Sequence, residues 1–267
     1  MTDPDPDLRP ALWAPVRPFQ RALVVIAHPD DAEFGAAGTV ARWVEMGTDV
    51  RYVVLTDGAS GSSDPEMTVE RLAEIRDREQ REACKELGVT DVTFLGHRDG
   101  YLEASLTARR QVAAEIRRHR PEAVITLNPD LRWSSWGYVN HPDHRAVGDL
   151  VLHAINPAAS TRLWDTTLLD EGLEPWDVSE LWMTGFGDGE TLVDVTTTFE
   201  RKIAALRRHA SQLADWDPEP RLREWLGQTG AHVGVELAEA FTVLRFRVLD
   251  DEGSRPLRGP SDEEPAP

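Results

Sequence analysis

The chain has 267 residues, 40% of them hydrophobic, with 47 acidic and 29 basic side chains and a formal net charge of −18. This is the composition of a globular domain with ample core, and its acidic surplus excludes partners that need a basic face, so neither nucleic acid nor an anionic membrane is expected. No apolar run reaches the roughly 18 residues of a membrane helix, the N-terminus has no secretory leader pattern, and the single cysteine, Cys84, excludes an intrachain disulfide and a cysteine-rich metal site; a reducing cytoplasm is the expected compartment.

Residues 1–18 are rich in proline and aspartate without periodicity and read as a loose arm. Val- and Ile-rich runs at 22–27, 50–56, 92–96 and 122–127 read as buried strands. Each is followed by a helix-period segment, at 33–46, 68–87, 105–119 and 141–155, with Gly88 placed to cap the second. "SELWMTG" and "TLVDVT" follow, then a helix at 197–212 and a last strand around 239–249. Strand–helix alternation predicts an α/β fold with a mainly parallel sheet and helices on both faces. One domain over 19–249 is the simplest division, and 250–267 reads as an acidic disordered tail.

The first strand stops at "AHPDD": His28, Pro29, Asp30 and Asp31. Ligands in open α/β sheets gather beyond the carboxyl ends of the strands, and a proline suits the tight turn into a helix. A lone histidine with a capping aspartate would be unremarkable structure. The device recurs, however, as His141-Pro142-Asp143-His144 after the fourth strand. Imidazoles with a carboxylate suit Zn²⁺, with three protein ligands and a fourth place for water. Two neutral histidines and one carboxylate leave about +1 on the site, enough to lower the pKa of water and polarise a carbonyl. A second carboxylate that is not a ligand can serve as general base, and the adjacent pair Asp30-Asp31 supplies one of each.

With "AHPDDAEFGAAGT" and "HPDH", the chain resembles the PIG-L/LmbE family of zinc-dependent N-deacetylases, over about residues 21–213. The resemblance implies a Rossmann-like fold. It implies His28, Asp31 and His144 as metal ligands, Asp30 as the base that takes the proton from water, and His141 as the group that stabilises the oxyanion or assists the leaving amine. "LTDGASG" is similar to the family's Thr-x-Gly-x-x-Gly loop through Thr56, Gly58 and Gly61. Its spacing fails the Gly-x-Ser-x-Gly nucleophile elbow, which excludes a serine hydrolase of that type. Ser62 and Ser63 stand where relatives acting on thiol sugars often carry a charge.

Candidate substrate contacts follow from the same resemblance. Arg76 and Glu79 match a family helix, against a plain solvated i,i+3 pair. Asp99 is placed to hold sugar hydroxyls, against a simple Asp-Gly turn. In the loop "NPDLRWSSWGYVN", Trp133, Trp136 and Tyr138 either wall an acceptor site or pack the loop onto the body. His97 reads as a loop histidine and His209 as a surface or interhelix residue. The expected activity is metal-dependent hydrolysis that frees an acyl group, an N-acetyl group first, from an amino-sugar amide. The alternatives are an amidase cleaving a larger thiol-sugar conjugate and a non-catalytic metal- or sugar-binding protein. The expected cofactor is Zn²⁺, with Fe²⁺ or another divalent ion open. The expected partner is a small acylated amino sugar or glycoconjugate, and a homo-oligomer stays open.

Overall fold

The computed structural model describes residues 10–135, 137–187, 189–250 and 253–256. Eight strands form one sheet: β1 (Ala11–Leu12), β2 (Arg21–Ile26), β3 (Asp49–Thr56), β4 (Asp91–His97), β5 (Ala123–Leu127), β6 (Glu180–Thr184), β7 (Thr191–Asp194) and β8 (Ala238–Arg245). Their order is β1-β7-β8-β6-β5-β2-β3-β4. Only β8 runs antiparallel to its neighbours β6 and β7, so the mainly parallel α/β fold expected from the alternation is the fold observed. A two-stranded hairpin of β9 (Arg247–Asp250) and β10 (Gly253–Pro256) follows.

The helices are α1 (Asp31–Gly35), α2 (Ala37–Glu45), α3 (Val69–Leu87), α4 (Leu106–His119), α5 (Pro142–His153), α6 (Thr167–Asp170), α7 (Phe199–Leu206), α8 (Ala210–Leu213) and α9 (Glu219–Ala231). They cover both faces because β2 alternates across the sheet. Ala22, Val24 and Ile26 join one core with Trp43 and Trp182, while Leu23, Val25 and Ala27 join the other with Val112 and Val151. Each fully buried Val, Leu or Ile contributes about 1.5–3 kcal/mol, so both faces are strongly specified.

The order of strands creates the crevice that matters. From β2 the chain moves outward to β3 and β4; it then returns to β5 on the other side of β2 and continues to β6. The carboxyl ends of β2 and β5 therefore lie side by side where the winding reverses, the place where doubly wound sheets hold ligands. Both His-Pro-Asp turns emerge there.

Three expectations need correction. Residues 10–18 are built into the body: β1 pairs with β7, and Trp13, 8% exposed, packs edge-on against Trp182 at 5.6 Å. Burying one indole outweighs the loop-like composition around it. The helix expected at 33–46 breaks at Ala36, whose φ of −144° is not helical. The one expected at 197–212 divides into α7 and α8 at Arg207–His209. Residues 1–9 of the expected arm and 257–267 of the expected tail lie outside the described residues.

Candidate metal centre

β2 ends in Ile26, and the chain turns through Ala27-His28-Pro29-Asp30 into α1. Asp30 has φ 94° and ψ −21°, a left-handed conformation that costs a non-glycine residue on the order of 1 kcal/mol. Buried partners hold it there. Its N–H donates to Gln80 Oε1 at 3.0 Å, and the Arg76 guanidinium donates to the Pro29 carbonyl and to Asp30 Oδ2, the latter at 3.0 Å. The same guanidinium donates to the Gly58 carbonyl at 2.7 Å. Gly58 sits at φ 63°, and a Cβ there would lie 2.8 Å from Arg76 Nη1, so this loop position needs glycine. Asp31 Oδ2 accepts from the N–H groups of Ala27 (3.1 Å) and His28 (2.8 Å), folding the strand end back on itself.

The second turn brings its residues to the first. His144 Nε2 lies 3.0 Å from Asp31 Oδ1 and 3.2 Å from His28 Nδ1. His28 Nδ1 is 3.7 Å from Asp31 Oδ2. Ligands about 2.0–2.2 Å from a tetrahedral ion sit roughly 3.3 Å from one another. Asp31 thus reaches His144 through Oδ1 and His28 through Oδ2, and one donor atom from each of the three residues lies within 4.8 Å of the others, a grouping that could hold an ion.

Their protonation also fits. Asn140 Nδ2 donates to the Leu131 carbonyl at 2.7 Å, which leaves its Oδ1 to accept from His144 Nδ1 at 3.0 Å. His28 Nε2 faces Asp99 Oδ1 at 3.0 Å and Asp143 Oδ2 at 3.3 Å. With both rings neutral, the outer nitrogens carry the protons, and His28 Nδ1 and His144 Nε2 aim lone pairs at each other and at the Asp31 carboxylate. A cation, whether a metal ion or a proton, makes that arrangement favourable, and outer carboxylates and amides of this kind orient histidines at metal sites.

The same contacts separate the protonation of these groups, charging His28 and keeping its carboxylate partners ionised. Burial opposes charge on His28, but Asp143, Asp31 and Asp99 override it and push its pKa up to about 12. Burial works to raise Asp31, yet the charge and hydrogen bond of His144, with His28, hold it well below the usual carboxylate range. Asp99 behaves likewise: burial opposes ionisation, and His28 brings it down to about 2. Asp143 is lowered against its burial by the same histidine and by the Gly100 N–H, which donates at 2.8 Å. Asp30 goes the other way. Burial, helped by the charge of Asp31, raises it to about 6 although Arg76 pulls it down.

His141 caps α5, its Nδ1 accepting from the Asp143 N–H at 3.2 Å. The proton therefore sits on Nε2. Burial first, and His28 next, lower its pKa, so at neutral pH it is a neutral donor. Its ring stands perpendicular to that of His28 at a centroid distance of 4.6 Å.

The remaining candidates separate. Asp99 accepts from the Ser60 N–H at 3.0 Å through Oδ2 and faces His28 Nε2 at 3.0 Å through Oδ1, so its carboxylate is placed to orient that ring. Arg76 and Glu79 are both buried and do not form the solvated pair; Arg76 supports Asp30, and Glu79 accepts from the N–H (2.9 Å) and Oγ (2.6 Å) of Ser211. Tyr138 lines a cavity, Trp133 is 68% exposed, and Trp136 lies outside the described residues. His97 is the last residue of β4, not a loop histidine, and bonds Gln111 at 2.8 Å. His209 lies at the break between α7 and α8, the interhelix alternative, and is fully buried beside Glu33 at 3.4 Å, not at the surface.

Sequence reasoning passed over Asp143 and Asn140 as supports, although both lie within or next to the "HPDH" motif. It also missed α9, whose proline in the first turn and leucines at 222 and 226 were the available signal. That helix closes a cavity of about 650 Å³ that opens onto Asp31 and His144 and is walled by Phe34, Phe186, Trp216 and Trp225.

The family model for PIG-L, described as GlcNAc-PI de-N-acetylase, matches residues 23–155, which include both histidine turns. Diacetylchitobiose deacetylase of Thermococcus kodakarensis is 31% identical over 235 residues, 87% of this chain and 85% of that protein. The chain belongs to the PIG-L family. PIG-L proteins are metal-dependent N-deacetylases, hydrolases of amide carbon–nitrogen bonds, and the residues gathered here fit that chemistry. A probable N-acetyl-α-D-glucosaminyl L-malate deacetylase 2 of Bacillus anthracis is 30% identical over 203 residues, 73% of this chain and 82% of that protein. The solved N,N'-diacetylchitobiose deacetylase of Pyrococcus horikoshii superposes with a TM-score of 0.78 at 32% identity, covering 85% of this chain and 84% of that one. Among the described residues no helix is long and apolar enough to cross a membrane.

Proposed function

We propose that this PIG-L protein removes an acetyl group from the amide nitrogen of an amino sugar, in the cytoplasm, with Zn²⁺ held by His28, Asp31 and His144. The observation that supports the ligand set is the cluster of His28 Nδ1, His144 Nε2 and the Asp31 carboxylate, whose Oδ1 lies 3.0 Å from His144 Nε2 and whose Oδ2 lies 3.7 Å from His28 Nδ1, with each histidine's outer nitrogen already facing an acceptor. When bound, such an ion lowers the pKa of water and polarises the amide carbonyl.

The chain's own groups do the rest. Asp30, ionised above its pKa of about 6, takes the proton of the attacking water and, now protonated, passes it to the departing amine. Its left-handed backbone and its bond to Arg76 fix the direction of the carboxylate. His141 presents Nε2–H as the donor for the oxyanion of the tetrahedral intermediate. As a neutral imidazole it stabilises that charge without surrendering a proton, which favours the oxyanion role over the acid role for this residue.

The test is acetate release from a panel of N-acetylated amino sugars by Asp30→Asn and His144→Ala. Asp30→Asn is expected to keep its metal and lose turnover by about 10²–10⁴-fold, the contribution of a general base. His144→Ala is expected to lose the metal itself. Undiminished turnover in Asp30→Asn removes the mechanism.

A further inference from the structure

We propose that the cavity beside the metal centre is an aglycone site selecting uncharged amino-sugar glycosides that carry a second ring, and discriminating against aglycones that carry a carboxylate or phosphate. The inference rests on the deacetylation reading above and adds to it the part of the substrate remote from the amide.

Position comes first. Asp31 and His144 belong both to the ligand cluster and to the cavity wall, so whatever fills the cavity is continuous with the reacting amide. At about 650 Å³ the cavity lies within the roughly 300–1,000 Å³ of sites that enclose drug-sized ligands, more than one acetylated hexosamine occupies. Its walls present flat faces. Phe34 and Trp216 stack with centroids 6.3 Å apart and planes 15° from parallel, and Trp225 joins them from α9. Aromatic faces suit the C–H face of a sugar ring or an aryl group. Asn128 and Gln228 add neutral amides to the same lining, groups that hydrogen-bond hydroxyls.

Charge narrows the class further. Arg221 is the cation among the described lining residues. It lies 3.6 Å from the carboxylate of Glu224, with both side chains exposed. Glu224 matches the charge of Arg221 and Asp31 adds a second carboxylate to the wall, so the lining side chains offer an entering carboxylate or phosphate no net positive charge. The field of a chain carrying −18 adds to the bias. Trp216, Arg221, Glu224 and Trp225 all lie beyond the 23–155 segment common to the family. They are where this chain's own selectivity would be written, and among its relatives' substrates they favour the uncharged diacetylchitobiose type over the malate glycoside type.

The test uses the full-length, metal-loaded protein and compares kcat/KM for four compounds: N-acetylglucosamine, diacetylchitobiose, 4-nitrophenyl N-acetylglucosaminide and the N-acetylglucosaminyl malate glycoside. The two uncharged ring glycosides are expected at least about tenfold above both the single sugar and the malate glycoside. Trp216→Ala, at a half-exposed position whose truncation spares the core, is expected to lower kcat/KM for diacetylchitobiose through KM, about fivefold more than for the single sugar. Glu224→Gln, which frees Arg221, is expected to raise turnover of the malate glycoside relative to the uncharged ones. Preference for the anionic glycoside, or equal losses on all substrates in Trp216→Ala and Trp225→Ala, overturns the proposal. Binding of the same sugars to Asp30→Asn by titration calorimetry reads the cavity independently of turnover. Ring selectivity in binding without any acetate release by the native protein would sink the deacetylation reading alone, and acetate release without ring selectivity would sink this inference alone.

Discussion

Replacing Arg76 by Met should move the pH dependence of the enzyme and not merely lower its activity. The guanidinium, 5% exposed, sits 3.0 Å from Asp30 Oδ2. At an effective dielectric of about 20, two unit charges at that separation attract by roughly 332/(20 × 3.0), about 5.5 kcal/mol, and in bulk water by about 1.4 kcal/mol. Carboxylates beside an arginine commonly shift by about 1–3 pKa units, inside that bracket. Asp30 already stands at about 6 with Arg76 pulling it down; without the cation its pKa should rise to roughly 7–9. A base must be ionised, so activity lost at pH 7 should return as pH is raised past 8 or 9. A dication on the neighbouring ligands lowers both profiles, and the displacement between them is what the substitution reads. The assay is kcat/KM against pH for the native protein, Arg76→Met and Arg76→Lys, with Lys expected to restore part of the displacement. An unmoved acid limb with a lower plateau would refute the account, leaving Arg76 as a prop for the Pro29 and Gly58 carbonyls alone.

Other consequences are open to measurement. Because the pKa of Asp30 is raised on folding from 3.8 to about 6, its ionised form works against the fold; the cost is absent below about pH 4 and complete above about pH 6, up to about 3 kcal/mol. Metal-free Asp30→Asn, whose asparagine tolerates the left-handed backbone, should therefore melt higher than native protein at pH 7.5, with the gap closing near pH 4; no gap at neutral pH contradicts this. Asp99→Asn should weaken zinc binding by about 10–100-fold in a chelator competition, since it loosens the orientation of His28, and unchanged affinity would mean Asp143 alone orients the ring. Lys202→Met should cost about 3–5 kcal/mol in urea unfolding. It strands Glu239 within the core, where the pair lies 2.8 Å apart with side chains 0% and 1% exposed. The double variant with Glu239→Gln should recover part of that loss, and a single variant as stable as native would show the pair to be dispensable.

Much of the scaffold could be read directly because its signals are local. The Val and Ile runs of β2, β3 and β5 can be buried only as strands between helices, and Pro29 and Pro142 mark turns wherever they fall. Errors arose where tertiary contacts reversed a local preference. Trp13 drags a proline-rich segment into the core through contacts with Phe19, Trp43 and Trp182. The charged face of α9 hid a helix whose apolar side is little more than Leu222 and Leu226. Arg76 and Glu79, three apart on one helix, looked like partners, yet packing sends one to Asp30 and the other to Ser211.

From its sequence alone this protein was determined to be an α/β chain with two His-Pro-Asp turns, each holding imidazole and carboxylate where a helix begins, because residue type and spacing along the backbone specify those. Only the tertiary structure decided that the turns meet. β5 pairs beside β2 and not beyond β4, which sets His144 against Asp31 across more than a hundred residues. It also decided which nitrogen of each histidine faces Asp31, since that depends on Asp99, Asp143 and Asn140 lying on the outer side of the rings. Pairing order and hydrogen-bond direction are properties of contacts between distant segments, and no local pattern encodes them.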